Sequence, residues 1–578
     1  MYGPNSSNGR HVWSVNKIAV VGPGIVGMPM AALLAHAKIC EGTDKPARVI
    51  VIQRNSPTSG WKVQAINSGR SVIGGIEPGL DRIVSSAVSE GLLSASHDFS
   101  DLLDADVILV CVQTDKEGFG PDYGPMLKAL TDMASALQSK PAEKMPLIIF
   151  ESTLAPSSMS TLVKKHFSKY GLEEGRDILL GNSPNRVMPG RLVERVADSD
   201  KLIGGLSPIT TQLIKKLYSN IVTKGDLHIT NSLTAEVVKT LENTYRDVRI
   251  AYAAEIVRYC DKHDFDFYQL RHQVNNRLAQ TDGASEDPNV VPSGGLLIPT
   301  IGVGGHCLPK DGILLWWRKI ESGSDTSRSL ILEARHINDE SPEETISLAE
   351  RYFGDLTNKP VTLLGTAYRF NSEDTRNSPT LALALQLIEK GCKVRIHDPH
   401  VKPTDQNLRR FALQSYFTRD MAQAVESAEY LIFCAAHRVY TNESDQIIRL
   451  TNGLRGILDG CNLFQRSDFA GKPYGYVGIG RGTKPPPQAF VDFAYEGFRV
   501  MEQGFANELR DLIDFLNDRY ANDDFNRIVF REVQQIAGTC VTGCAIVDPA
   551  PIETIPIYEG FSSHLVKCAY EAWQKAKK

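Results

Sequence analysis

No apolar run of about 20 residues occurs in the chain, and the opening MYGPNSSNGRHVWSVNK carries no apolar core of secretory-signal length. Neither a membrane-spanning helix nor a signal peptide is expected, so the chain reads as cytoplasmic with no membrane partner. Excess positive charge is missing too: 63 Lys and Arg stand against 68 Asp and Glu, a formal net charge of -5. That balance excludes wrapping around nucleic acid, while a local cationic pocket for one phosphorylated ligand stays open. Cysteine is scarce, with 10 in 578 residues, most of them in apolar stretches such as LVCV and IFCA. Such residues read as reduced core thiols of a reducing compartment. Low-complexity tracts are absent, and 42% hydrophobic with 23% charged residues is ordinary globular composition. The length suits roughly three or four domains.

Residues 17–22, KIAVVG, form a short apolar run that breaks into glycine, and residues 25–35 then carry Ile, Met, Ala and Leu with little charge. The pattern predicts a strand, a tight turn and a buried helix. Strands are also predicted at 49–52, 104–112 and 147–153, and this alternation with helices predicts a parallel sheet covered on both faces. Residues 233–263 carry Val237, Val238, Leu241, Tyr245, Val248, Tyr252, Ile256 and Cys260 at mixed three and four spacing, which predicts one long helix for a bundle or subunit contact. A second α/β unit opens at 361–364, with a helix at 380–390 and KVRIHDP after it. Past Gly482 comes TKPPPQ and then an acidic, aromatic, helical appendage.

Gly22-Pro-Gly24-Ile25-Val26-Gly27 lies between the first strand and helix. Its glycines permit a tight turn and close backbone approach, and a helix N-terminus offers N–H groups to a pyrophosphate, so dinucleotide binding is expected. At the tip of the second strand, where an acid usually meets the adenosine ribose, stand Gln53 and Arg54. An amide still bonds a 2'-hydroxyl and Arg54 suits adenine or a 2'-phosphate, which leaves NADP open beside NAD. Cys307 is bracketed by Gly304, Gly305, His306, Lys310 and Asp311, a setting in which a cysteine serves either as a covalent nucleophile or as an ordinary loop thiol. Lys239 and Asn243 share one face of the long helix at i and i+4, with Glu242 and Arg246 adjoining.

Together these segments resemble the UDP-sugar 6-dehydrogenase family, from about Lys17 to Gly482. The resemblance rests on the glycine fingerprint, INSGRSVIGGIEPGL at 66–80, ESTLAPS at 151–157, SPNRVMPGR at 183–191, KTLENTYRDVRIA at 239–251, GVGGHCLPKD at 302–311 and LLGTAYRFNSEDTRNSPT at 363–380. It implies an N-terminal Rossmann domain (1–206), a central helical domain with the cysteine loop (207–325), a C-terminal UDP-binding Rossmann-like domain (326–482) and an extension (483–578). It also implies a homodimer formed through the central helix. The carried-over roles are Cys307 as nucleophile, Lys239 and Asn243 beside the reacting oxygen, and Asp311 orienting water or lysine. Thr114 and Thr153 would contact the nicotinamide side. Arg186, Gly304, Gly305 and Arg369 would hold the sugar nucleotide, and Arg376 would hold substrate or bridge it to cofactor.

The implied chemistry is a four-electron oxidation of a C6 alcohol to a carboxylate through a thiohemiacetal and a thioester on Cys307. Many relatives carry glutamate where this chain has Asn185, and an amide takes no proton; either another carboxylate such as Asp311 substitutes or hydrolysis slows. ENTYRDV, VMPGR and GGHC resemble the branch acting on UDP-N-acetylhexosamines, with UDP-glucose as alternative and a non-catalytic nucleotide-sugar binder as a competing class. In the extension, Cys540, Cys544, His564 and Cys568 lack knuckle glycines and two-residue spacing, so no metal is expected.

Overall fold

The opening run KIAVV becomes β1 (Lys17–Val21), buried from Ile18 onward. The computed structural model describes residues 15–39, 45–74, 77–141, 145–187, 190–281, 295–540 and 543–576. Parts of the motifs at 66–80 and 183–191, and most of the polar stretch at 281–295, lie outside them. After β1 come α1 (Gly27–His36), β2 (Arg48–Ile52), β3 (Leu93–Ser96), β4 (Val107–Val110), β5 (Leu147–Phe150), β6 (Leu179–Asn182), β7 (Lys201–Gly205) and β8 (Leu227–Asn231). They form one sheet in the order β8-β7-β6-β5-β4-β1-β2-β3. Neighbours are parallel except β6 and β7. Ile18 and Val20 join one apolar cluster while Ala19 and Val21 join another, so the sheet is buried on both faces. The order reverses between β1 and β4, and ligands of such sheets bind beyond the strand ends at that point.

α2 (Ser232–His263) is the expected long helix, 32 residues without a break. α3 (Leu308–Glu321) starts immediately after Cys307. The second sheet comprises β9 (Pro360–Leu364), β10 (Lys393–His397), β11 (Phe417–Thr418), β12 (Tyr430–Phe433), β13 (Gly456–Asp459) and β14 (Gly475–Gly478). Its order, β11-β10-β9-β12-β13-β14, is wholly parallel and reverses between β9 and β12. Both ends of the chain are therefore doubly wound, Rossmann-like domains, with a helical region in the middle. The extension folds as α4 (Gln488–Tyr520), α5 (Phe530–Gly538) and α6 (His564–Ala576).

The chain splits into two compact units, Met1–Glu242 with Ile313–Gly323 and Leu512–Cys540, and Asn243–Gly312 with Ser324–Asp511 and Val541–Lys578. In the second unit the extension packs on α2. Tyr245 donates to Glu502 at 2.8 Å and to the Ala545 carbonyl at 3.0 Å, and Tyr252 donates to the Ala494 carbonyl at 2.9 Å. Tyr259 stacks near Phe490 and Phe561, with ring centroids 4.6 and 4.9 Å away. Glu255 accepts from the Ser563 hydroxyl at 2.7 Å and from the His564 amide at 2.6 Å, which caps α6.

Within the second unit, no residue of α2 from 243 to 261 is exposed. Among the described residues, no helix is long and apolar enough to cross a membrane.

Gly497 lets α4 approach α2, because a Cβ there would lie 2.3 Å from the Tyr252 hydroxyl. Gly497→Leu is expected to lower the thermal midpoint, overpacking of this kind costing about 1–3 kcal/mol. A midpoint equal to the unsubstituted chain's would contradict this seating of α4 on α2.

Candidate active site

The residues singled out by sequence divide between the two units. In the first, β1 ends at Gly22, whose φ of +99° is open to glycine and whose added Cβ would lie 2.8 Å from the Cys111 carbonyl oxygen. A Cβ on Gly27 would lie 2.1 Å from the Gly22 carbonyl, whereas nothing lies within 4 Å of one on Gly24. The turn is thus closed on the protein side and open above Gly24. Ile25 and Val26 are half-buried where α1 begins, and the first turn of α1 carries no acid. This cradle fits a dinucleotide pyrophosphate. At the tip of β2, Gln53 donates to Ser59 at 2.9 Å, and Arg54 stands 4.0 Å from Asp132.

Because β4 and β5 are neighbours, their following loops meet: the buried Thr114 hydroxyl donates to the Thr153 carbonyl at 2.7 Å. Glu151, at the end of β5, is buried with Lys201 (2.8 Å), Tyr218 and Asn185 (3.2 Å) donating to its carboxylate. Burial and the adjacent Glu151 push the Tyr218 phenol well up. Asn185 and Arg186 follow one another but part company. The Arg186 guanidinium pairs with buried Glu242 and donates to the Thr539 hydroxyl and the Ile536 carbonyl, both at 3.3 Å. The arginine expected to hold substrate is thus engaged by α2 and by the extension. Burial raises the Glu242 carboxyl, against the pull of Arg186 and Lys239, and Lys239 is itself buried.

The loop of ESTLAPS is fixed by a residue that sequence reasoning passed over. Glu236 of α2 accepts from the amides of Ser157 at 2.7 Å and Met159 at 2.9 Å. Arg318 of α3 donates to the Ser157 hydroxyl at 2.8 Å. Lys201 was equally unremarked. Its signal was present, a lysine opening the wholly buried strand KLIGG, since a buried ammonium requires an acid.

In the second unit the glycine loop packs against the segment after β9. The Gly305 amide donates to the Arg376 carbonyl at 2.8 Å, and the Asn377 side chain donates to the Gly305 carbonyl at 2.9 Å. A Cβ on Gly304 or Gly305 would lie 2.4 or 2.9 Å from Tyr368. Cys307 is half-buried, and its carbonyl accepts the Lys310 and Asp311 amides at 3.0 and 2.8 Å, which starts α3. Its thiol is an electrostatic neighbour of Tyr368 and Arg376. The Tyr368 phenol is pushed up to about 12 by burial first and then by Asp374. The Arg376 guanidinium is braced by Asp374 at 2.9 Å. Asn243 donates to the fully buried Asp311 at 2.7 Å, and Lys310 lies 3.6 Å from the same carboxylate. Arg369 lies over the Phe370 ring at 5.5 Å.

A dinucleotide cradle on one doubly wound domain, a second such domain, and a cysteine loop preceded by a long central helix define an oxidoreductase of nucleotide sugars. Residues 16–222, 233–340 and 362–466 match, in turn, the NAD binding, central and UDP binding domains of the UDP-glucose/GDP-mannose dehydrogenase family. A UDP-N-acetyl-D-mannosamine dehydrogenase of Pyrococcus horikoshii is 32% identical over 474 residues, covering 81% of this chain and 99% of that protein. Among solved structures, an NDP-N-acetyl-D-galactosaminuronic acid dehydrogenase from Methanosarcina mazei Go1 is similar at 29% identity and TM-score 0.66, covering 81% of this chain and 96% of that one. A UDP-D-ManNAc dehydrogenase from Pyrococcus horikoshii follows at 31% identity and TM-score 0.65, covering 81% and 99%. The chain belongs to the UDP-glucose/GDP-mannose dehydrogenase family. It is a nucleotide-sugar dehydrogenase with NAD as its cofactor.

Burial pushes the Glu236 carboxyl up from its ordinary 4.5 to about 8, against the amides of Met159 and Ser157. The folded chain then keeps a proton that the unfolded chain has lost. Its stabilising contribution is full below pH 4.5 and fades as pH rises through 8. Glu236→Gln cannot lose that proton, so its thermal midpoint is expected to fall less across this window than that of the unsubstituted chain. Parallel declines for the two proteins would contradict the assignment.

Proposed function

We propose that the chain oxidises the C6 alcohol of a UDP-N-acetylhexosamine, UDP-GlcNAc or UDP-ManNAc, to the uronic acid by a four-electron reaction on Cys307. The observation that carries this reading is the placement of Cys307 at the start of α3, in a loop whose glycines pack on Tyr368 and whose thiol neighbours Arg376. The N-acetylhexosamine assignment is supported by the names of the relatives above.

The Gly22–Gly27 turn would hold NAD, which when bound would supply the hydride acceptor for the two oxidations. Lys239 and Asn243 stabilise the oxygen as its proton departs, and Asp311, bonded to Asn243, keeps that amide oriented. The Cys307 sulfur then bonds to the aldehyde carbon as its S–H bond breaks, and that proton passes to the former carbonyl oxygen. Loss of the second hydride and of that proton leaves a thioester. Water attacks the thioester carbon and the C–S bond breaks; one water hydrogen ends on sulfur and the acid's proton goes to solvent. Two cofactor molecules are reduced per sugar.

Mixing the protein with UDP-GlcNAc, UDP-ManNAc or UDP-glucose and either NAD or NADP, and following the absorbance of reduced nicotinamide, tests this. Two reduced cofactors per UDP-N-acetylhexosamine are expected. Preference for UDP-glucose would move the substrate, one cofactor per sugar would place the end point at the aldehyde, and none would leave a nucleotide-sugar binder. Cys307→Ser should abolish acid formation while NAD binding by calorimetry is retained; acid formed at the unsubstituted rate would remove the thioester route. Arg54→Ala should weaken NADP more than NAD, and equal losses would remove the 2'-phosphate reading.

A further inference from the structure

The loop that Glu236 holds runs into a π-helical turn, Met159–Val163. Turns of this kind recur beside functional sites. A cavity of about 180 Å³ lies against it, lined wholly by residues of the first unit. Its walls include Ser160 of the turn, Glu174, Ser232 at the start of α2, and Tyr520 and Asn522 where α4 ends. A cavity of about 150 Å³ already accepts benzene, so this space suits one small ring and not a nucleotide. Residues 520–526 lie beyond the last matched family domain, which ends at residue 466, so the extension completes the cavity. Arg318, which bonds the Ser157 hydroxyl, also lies 5.5 Å from the Tyr520 ring centroid and ties that part of the extension to the loop.

Two of the lining side chains hold buried polar atoms with no hydrogen-bond partner among the described residues: the hydroxyl of Ser232, a residue 1% exposed, and Oε1 of Glu174. The other Glu174 oxygen accepts the Leu180 amide at 2.6 Å. Burial pushes the Glu174 carboxyl up to about 7, against that amide and Lys164. Buried oxygens persist where something supplies a hydrogen bond. Charge then decides the class of ligand. Lys164, also in the lining, offsets Glu174, and the Glu236 carboxyl, raised to about 8, is protonated at neutral pH. A charged ligand would face a like charge in Lys164 or Glu174. Ring hydroxyls both donate and accept, and so match a lining of serine hydroxyls, an amide and one carboxylate oxygen.

We propose that this cavity binds a neutral monosaccharide, with Glu174 Oε1 accepting from one sugar hydroxyl and the Ser232 hydroxyl bonding a second. None of its lining residues is among those assigned to NAD or to the nucleotide sugar, and the site is independent of the reaction on Cys307.

The test is calorimetry on the full-length chain without NAD, titrated separately with D-glucose, D-GlcNAc, the cationic D-glucosamine and the anionic D-glucuronate. Saturable binding of at least one neutral sugar is expected, with both charged sugars about tenfold weaker. Ser232→Ala removes one hydrogen bond and should weaken that binding about tenfold. Asn522→Ala, at an exposed position, should weaken it about threefold with an unchanged thermal midpoint, which keeps the test open if Ser232→Ala does not fold. No saturable binding of either neutral sugar, tighter binding of a charged one, or affinities unchanged in the folded variants would overturn the site. None of these results bears on whether the chain reduces NAD with a UDP-sugar, so the two readings fail separately.

Discussion

A buried helix carrying charge is stable only when each charge is met, and α2 is such a helix. Glu236, Lys239, Glu242, Asp247, Arg249 and Glu255 are all buried along it. Leaving one ionised group unpaired in that setting would cost several kcal/mol. For five of these six, partners come from elsewhere in the chain: backbone amides for Glu236, Arg186 for Glu242, Arg335 and Asn338 for Asp247, the Gly295 carbonyl for Arg249, and the α6 N-terminus for Glu255. These pairings decide which loops are held, and Lys239 and Asn243 sit on the same helix.

The extension follows the same logic. Phe490, Ala494, Phe498, Met501, Phe505, Leu509, Leu512 and Leu516 are buried at a repeating four-four-three spacing, which gives α4 one continuous apolar stripe. Within the second unit, the part of this stripe from Phe490 to Leu509 and the aromatic residues around Tyr259 pack along α2. Within the first, residues 536–539 take up the Arg186 guanidinium. A segment outside the matched family domains has thus become part of the core and of the surroundings of a motif residue.

Several residues of the candidate site are oriented by the direction of their hydrogen bonds. Asp311 accepts from Asn243, Asp374 braces Arg376, and Glu151 turns Asn185. In each case a carboxylate, able only to accept, settles the orientation of a group that has both donor and acceptor faces or several donors.

What could be read from the sequence is what depends on neighbours along the chain. The strand-glycine-helix of residues 17–36, the unbroken helix at 232–263 and the glycine-bracketed Cys307 are set by local period and by backbone freedom at Gly22 and Gly305, and each appears where the pattern put it. The polar edge strand at 93–96 and the strands at 179–182, 201–205 and 227–231 escaped notice because β8 and β3 mix polar with apolar residues and Lys201 opens β7 with a charge. Tertiary structure alone paired Glu151 with Lys201 fifty residues away, and Arg186 with Thr539 across 353 positions. Within the second unit it also laid the chain's own extension along α2. An apolar helix face announces that it must be buried, but only the fold determines what buries it, since burial free energy depends on area removed from water and not on which segment removes it.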